Sequence, residues 1–282
     1  MRLYYILKSL NLKRKDDVIL PALTYFAVPA VIVKLGLTPV FIDTDPANFN
    51  MDVKKIKESI TSRTKVIIPT HLYGFICGMD ELLDISSRYN IAVVEDCAQS
   101  FGAEYRNKKA GSLGDAAYFT FGITKNFTTL GAGMVATNDK ELACSIRDSV
   151  REVYSVNMGA FLFKLLECYF MKFATSPFLF PGVYHIMRLF SSLGVDIISC
   201  MFHENNAALK GLPVGGQLNK AQAELRLMQL SELDRRNELR AKIGSLIYDR
   251  LSGTENIQIP LLEKEAKNIF YSCPVLVKNK EE

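Results

Sequence analysis

Short apolar runs, each closing on a polar or small residue, recur through the first half of the chain: VIL from Val18, VFI from Val40, VII from Val66, AVV from Ala92, AYFTF from Ala117 and MVAT from Met134. Stretches of helical spacing separate them. Between Asp52 and Ile60, for example, Val53, Ile56 and Ile60 share one face, and Asn50-Met51-Asp52 supplies a cap. Strands alternating with helices in this way predict βαβ units around a mostly parallel sheet. The runs VII and AVV do not alternate with polar residues, as expected of central strands buried on both faces. From about Gln217 to Leu251 the pattern becomes that of one or two long helices, with Leu218, Ala221, Leu225, Met228 and Leu233 as the apolar face. Asn268 to Val277 reads as a strand opening a further domain, so a large domain over 1–250 is followed by the start of a small one over 251–282.

Composition narrows the function classes. With 282 residues the chain can bury a sizeable core. Its net charge is only +4, and Lys and Arg are scattered, so neither charge nor aromatic pattern asks for nucleic acid. The six cysteines are widely spaced, without a C-x-x-C pair or a Cys/His cluster at metal-ligand spacing. They read as reduced thiols of a cytoplasmic protein that binds no metal. The first residues lack a signal-peptide cleavage site. Residues 159–204 are unusually apolar, but Lys164, Glu167, Lys172, Arg188, Asp196, Pro177 and Pro181 interrupt every stretch before it could span a bilayer. Two readings remain for this segment: extra subunit interface or core packing, which is favoured, and an amphipathic membrane-surface element.

In open α/β sheets ligands bind beyond the carboxyl ends of the strands, and the residues there are reactive types. Lys125 follows the strand AYFTF and precedes a loop containing Gly131 and Gly133. In a desolvated cleft such a lysine would attack an aldehyde; on a solvated loop it would do nothing. Asp96 ends the strand AVVED, placed either to bind a cationic ring nitrogen or to cap the next helix. Gln99 lies three residues on. Tyr25, after the first strand, is placed to stack on a planar ligand or to fill core. His71 reads as a structural histidine without a catalytic role.

Taken in order, VILPALTYFAVPAVIVKLGLTPVFIDTD, ITSRTKVIIPTHLYG, VVEDCAQSFGAEY and GSLGDAAYFTFGITKN resemble the DegT/DnrJ/StrS sugar aminotransferases. The resemblance implies the three-layer α/β architecture of fold type I enzymes that use pyridoxal 5′-phosphate (PLP), and a homodimer. It implies transfer of an amino group from glutamate or a similar donor to a keto-sugar nucleotide, in surface-polysaccharide or secondary-metabolite sugar synthesis. On the matching motifs, Lys125 is the lysine that carries the cofactor, Asp96 the partner of its ring nitrogen, Gln99 a contact to its phenolic oxygen and Tyr25 the stacking ring. Thr120, five residues before Lys125, keeps the hydroxyl that meets the cofactor phosphate. Family members with His at the lysine position are dehydratases, so Lys125 points to transamination.

The match also implies a chain short at both ends. The family's Ser-Gly-Thr phosphate loop falls before the region matching Arg2-Leu3, and most of its small C-terminal domain falls beyond residue 282. The loop that reaches a neighbouring subunit reads here as Pro213-Val214-Gly215-Gly216-Gln217-Leu218, without the expected Asn and Arg. A homologue that keeps the fold as a non-catalytic assembly partner is the competing expectation.

Overall fold

The six apolar runs become the six strands of one sheet. The structure, a computed structural model, describes residues 2–151, 158–192 and 220–278. Helix α1 (Arg2–Ser9) leads to β1 (Asp17–Pro21). Then come α2 (Ala27–Lys34), β2 (Thr38–Ile42), the single-turn α3 (Ile56–Ser59), β3 (Thr64–Ile67), α4 (Met79–Tyr89) and β4 (Ala92–Asp96). A small hairpin, β5 (Glu104–Tyr105) and β6 (Lys108–Lys109), precedes β7 (Ala116–Phe121), β8 (Ala132–Thr137) and α5 (Lys140–Arg151). Next are α6 (Met158–Ala174), α7 (Phe180–Ser192), the long α8 (Lys220–Leu251), and the short strands β9 (Ile257–Gln258), β10 (Ala266–Lys267) and β11 (Leu276–Val277).

The sheet order is β2-β1-β3-β4-β7-β8. All neighbours pair in parallel except β8, which runs antiparallel to β7. Alternation along the strands sorts the core into two layers. Val18 and Leu20 join Val66, Val94 and Tyr118 on the face covered by α1, α2 and α5. Ile19, Ile67, Val93, Phe119 and Phe121 line the other face with Leu82, Ile85 and Leu233. Burying each such side chain is worth about 1.5–3 kcal/mol, so the sheet is held firmly from both sides and its strand ends are well placed to position chemistry.

Three expectations are corrected. Of the expected apolar face of α8 only Leu233 is buried among the described residues: Met228 is 72 % exposed, and Gln222, Asn237, Gly244 and Tyr248 face inward beside Leu233. The reason is polar satisfaction. Gln222 Nε2 donates to Thr129 O at 2.9 Å and Asn237 Nδ2 to Phe101 O at 3.1 Å, feeding loop carbonyls that no strand pairs. The segment from Asn268 is not a strand up to β11. Ile269 N donates to Gly74 O and Ser272 N to Tyr73 O, folding it back onto the large unit, where Phe270 packs on Phe75 and Tyr248. Finally, the described part of the apolar stretch is not core packing within this chain. Among its described side chains Phe161 is buried, while Phe163, Leu166, Phe170, Phe178 and Ile186 are exposed. Residues 193–204 of that stretch, and 213–218, lie outside the described residues. No described helix is long and apolar enough to cross a membrane.

Candidate active site

β4 ends inside the sheet and delivers two adjacent carboxyls to opposite faces, as strand alternation requires. Glu95 is a scaffold. Its Oε1 accepts from Leu113 N and Gly114 N, and its Oε2 from Gly111 N, all at 2.8 Å, and from His71 at 2.9 Å. Burial alone would raise this carboxyl, but the hydrogen bond to His71 and those from the backbone N–H groups outweigh it and hold Glu95 below its usual range. The other ring nitrogen of His71, Nδ1, accepts from Cys77 N at 3.2 Å, so both nitrogens are used, in keeping with a structural role. Glu95, His71 and Cys97 bring ligand-type atoms within 4.8 Å of one another. Glu95 and His71 spend their lone pairs and N–H on one another and on the backbone rather than facing an open site.

Asp96 points the other way, into the crevice. It is 3 % exposed, and its Oδ1 accepts from Ala98 N at 3.0 Å. Burial raises its carboxyl above the usual range, while the Tyr118 hydroxyl, the Ala98 N–H and the Lys125 ammonium pull it down. Tyr118 is the residue opposite Asp96 on β7. Its hydroxyl is buried, within electrostatic reach of the carboxyl but outside hydrogen-bond geometry, and burial pushes it far up. Lys125 stands on the turn after β7, its N–H bonded to Gly122 O at 3.1 Å. Burial lowers its ammonium and Asp96 opposes that shift. A carboxyl pushed up and an amine pushed down, each sensing the other, are the paired perturbations expected of a reactive site.

The other expected residues lie at or just beyond the carboxyl ends of β1, β4 and β7. Gln99 Oε1 accepts from Tyr73 N at 2.7 Å, which leaves its Nε2 as the donor available to a ligand oxygen. Thr120, next to last in β7, has a buried Oγ1 without a partner, as does Thr70, whose residue bridges to Asp96. Tyr25 follows the carboxyl end of β1 and is 53 % exposed, its ring 4.5 Å from that of Phe26. Tyr118 and Tyr271 were not singled out from the sequence. Tyr118 is hidden in an apolar run, and Tyr271 lies in the segment read as a strand. Lys125 Nζ lies 5.2 Å from the Tyr271 ring centre. A separate hollow, lined by Gly111, Asn138 and Arg147, opens at the opposite end of β8 and holds none of these groups.

These groups fit PLP on the structure's own terms. A buried carboxyl, raised by burial, sits where a cationic ring nitrogen would offset the cost of its charge. A desolvated amine lies beside it, and partnerless hydroxyls line the rim.

Residues 3–163 match the DegT/DnrJ/EryC1/StrS aminotransferase family. The chain is 47 % identical over 145 residues to a GDP-perosamine synthase of Caulobacter vibrioides, covering 51 % of this chain and 39 % of that protein. It is 31 % identical over 278 residues to an uncharacterised Methanocaldococcus jannaschii protein, covering 98 % and 62 % respectively. The crystal structure of S. venezuelae DesV superposes with a TM-score of 0.73 at 25 % identity, over 99 % of this chain and 62 % of that one. The chain thus spans between two fifths and two thirds of the length of these relatives.

Proposed function

Because this chain belongs to the DegT/DnrJ/EryC1/StrS aminotransferase family, we propose that it is the cofactor-binding part of a PLP-dependent enzyme that moves an amino group from glutamate, or a similar donor, to a keto-sugar nucleotide. The observation that carries this reading is the pairing of buried Asp96 with desolvated Lys125 at the carboxyl ends of β4 and β7, beside the partnerless hydroxyl of Thr120. PLP, when bound, supplies an electron sink for charge developing at the donor's α-carbon. Everything else is the work of this chain. Lys125 Nζ would hold the cofactor and, once free, act as the base that takes the proton from the donor's α-carbon and gives it up again. Asp96, held by the Ala98 N–H, would keep the ring nitrogen protonated. Gln99 would offer Nε2 to an oxygen of the cofactor, and Tyr25 would supply a stacking ring.

We place the cofactor-binding domain in 1–250 and the start of a smaller domain in 251–282. β9 and β11 pair with each other, and β10 is tied to β5 of the larger unit. The protein is a cytoplasmic homodimer, and the outward apolar residues of α8 (Leu239, Ile243, Leu246) and of α6 and α7 are the surfaces such an assembly would cover. Mixing the full protein with PLP and glutamate tests the reading. Stoichiometric 2-oxoglutarate, followed by amino transfer to an added keto-sugar nucleotide, is expected. Bound PLP with no oxo-acid formed from any amino donor would overturn it.

A further inference from the structure

Thr120 and Gly133 face each other directly across β7 and β8, so their side-chain directions share a face of the sheet. Gly133 has no side chain, and Arg2, the first residue of α1, lies in that space: a Cβ on Gly133 would stand 3.0 Å from Arg2 Cγ and 3.3 Å from its Nε. The Arg2 side chain thus occupies the space opposite Thr120, whose Oγ1 has no partner. A second guanidinium comes from α8. Arg226 Cζ lies 4.7 Å from the Phe121 ring centre, its Nη2 donates to Gly133 O at 3.2 Å, and its Nε is buried without a partner. Lys164 of α6, an exposed residue, brings a third cation near the start of the same strand, its Nζ 2.7 Å from where a Cβ on Gly131 would be.

Among the described residues no carboxylate pairs with Arg2, Lys164 or Arg226. Burial lowers both guanidiniums; Tyr5 opposes the shift at Arg2, and the charge of Arg2 adds to it at Arg226. A guanidinium keeps its proton throughout the physiological range, and holding two half-buried ones close together without a carboxylate is unfavourable. The cluster is short of an anion. Planar N–H forks beside a hydroxyl match the oxygens of a phosphate ester better than a single carboxylate.

We propose that Arg2 and Arg226, with Thr120 and Lys164, bind a phosphate ester at the rim of the crevice. The ester is either the cofactor's phosphate, in which case the inference rests on the reading above, or the diphosphate of the nucleotide. The position of Thr120 on the same strand end as Lys125 favours the cofactor. These side chains would then do for the phosphate what backbone amides at a helix start do elsewhere.

The test titrates the full protein with PLP and with pyridoxal, which lacks the phosphate, and quantifies the adduct fixed on Lys125 by borohydride using mass spectrometry. Wild type should prefer PLP strongly, and Arg2→Gln or Arg226→Gln should cut that preference by roughly 10- to 100-fold while pyridoxal fixation stays unchanged. Arg226→Lys, which keeps the charge, should restore most of it, and thermal melting confirms that each variant is folded. GDP and UDP are titrated in parallel: if their binding falls in the glutamine variants while the PLP preference holds, the ester is the nucleotide's. Folded variants in which neither quantity moves would overturn the proposal even with Lys125 labelled. Absence of label on Lys125 in the wild type would count against the cofactor reading instead, and the nucleotide arm would still decide on the anion site.

Discussion

Lys125 Nζ stands 5.2 Å from the centre of the Tyr271 ring, and the Tyr271 hydroxyl donates to Thr124 O at 3.1 Å, so the ring is fastened to the turn that carries the lysine. A ring face stabilises an ammonium by about 0.5–1 kcal/mol, or about 0.4–0.7 pK units. Burial already lowers Lys125. Tyr271→Leu removes a contact that favours the charged form and should lower it further. The pH profile of reductive trapping at Lys125 should shift down by about half a unit, with Tyr271→Phe close to wild type. An upward shift in the leucine variant would show that the ring acts mainly by desolvating the amine.

Asp96→Asn should leave the fold and cofactor attachment largely intact and slow amino transfer by about 30- to 1000-fold, the loss of roughly 2–4 kcal/mol of charge-assisted contact. It also removes the charge that raises Lys125, so the trapping profile should move to lower pH. Near-normal turnover would take Asp96 out of this role.

Glu95 accounts for a pH dependence of stability. Its folded carboxyl is depressed, so its contribution is fully present above the unfolded value of 4.5 and is lost as pH falls through the lower folded value. Glu95→Gln should cost about 2–4 kcal/mol at pH 7, because the amide cannot accept from four donors at once and its own NH2 faces donors. Urea unfolding at pH 7 and pH 4 checks both points. The wild type should weaken towards pH 4 and the variant much less.

Gly244 of α8 faces Phe270, and a Cβ there would overlap the ring. Gly244→Ala should destabilise by about 1–3 kcal/mol through overpacking. It should also disturb Tyr271, the residue next to Phe270, so Lys125 trapping should change along with the melting temperature. A melting shift without any change in trapping would uncouple the segment from the site.

The strands were legible because branched and aromatic runs buried on both faces admit few other arrangements, and Asp96, Gln99, Thr120 and Lys125 stood out because the carboxyl ends of those strands are where polar residues have least structural reason to be. The packing face of α8 was not legible. Gln222 and Asn237 are buried to satisfy the carbonyls of Thr129 and Phe101, a demand set by distant loops that leaves no periodic trace. Tyr271 escaped for a related reason. Its segment has strand-like composition, yet the carbonyls of Tyr73 and Gly74 draw it back to the site. Arg2 and Arg226, far apart in sequence, both come to Gly133, which leaves room for Arg2 by having no side chain.

The most direct test of the account is to incubate the full protein with PLP, reduce it with borohydride and locate the pyridoxyl group by peptide mass spectrometry. The account predicts one modified residue, Lys125, and no stable label in Lys125→Ala. A label on another lysine, or one that survives in Lys125→Ala, would contradict it.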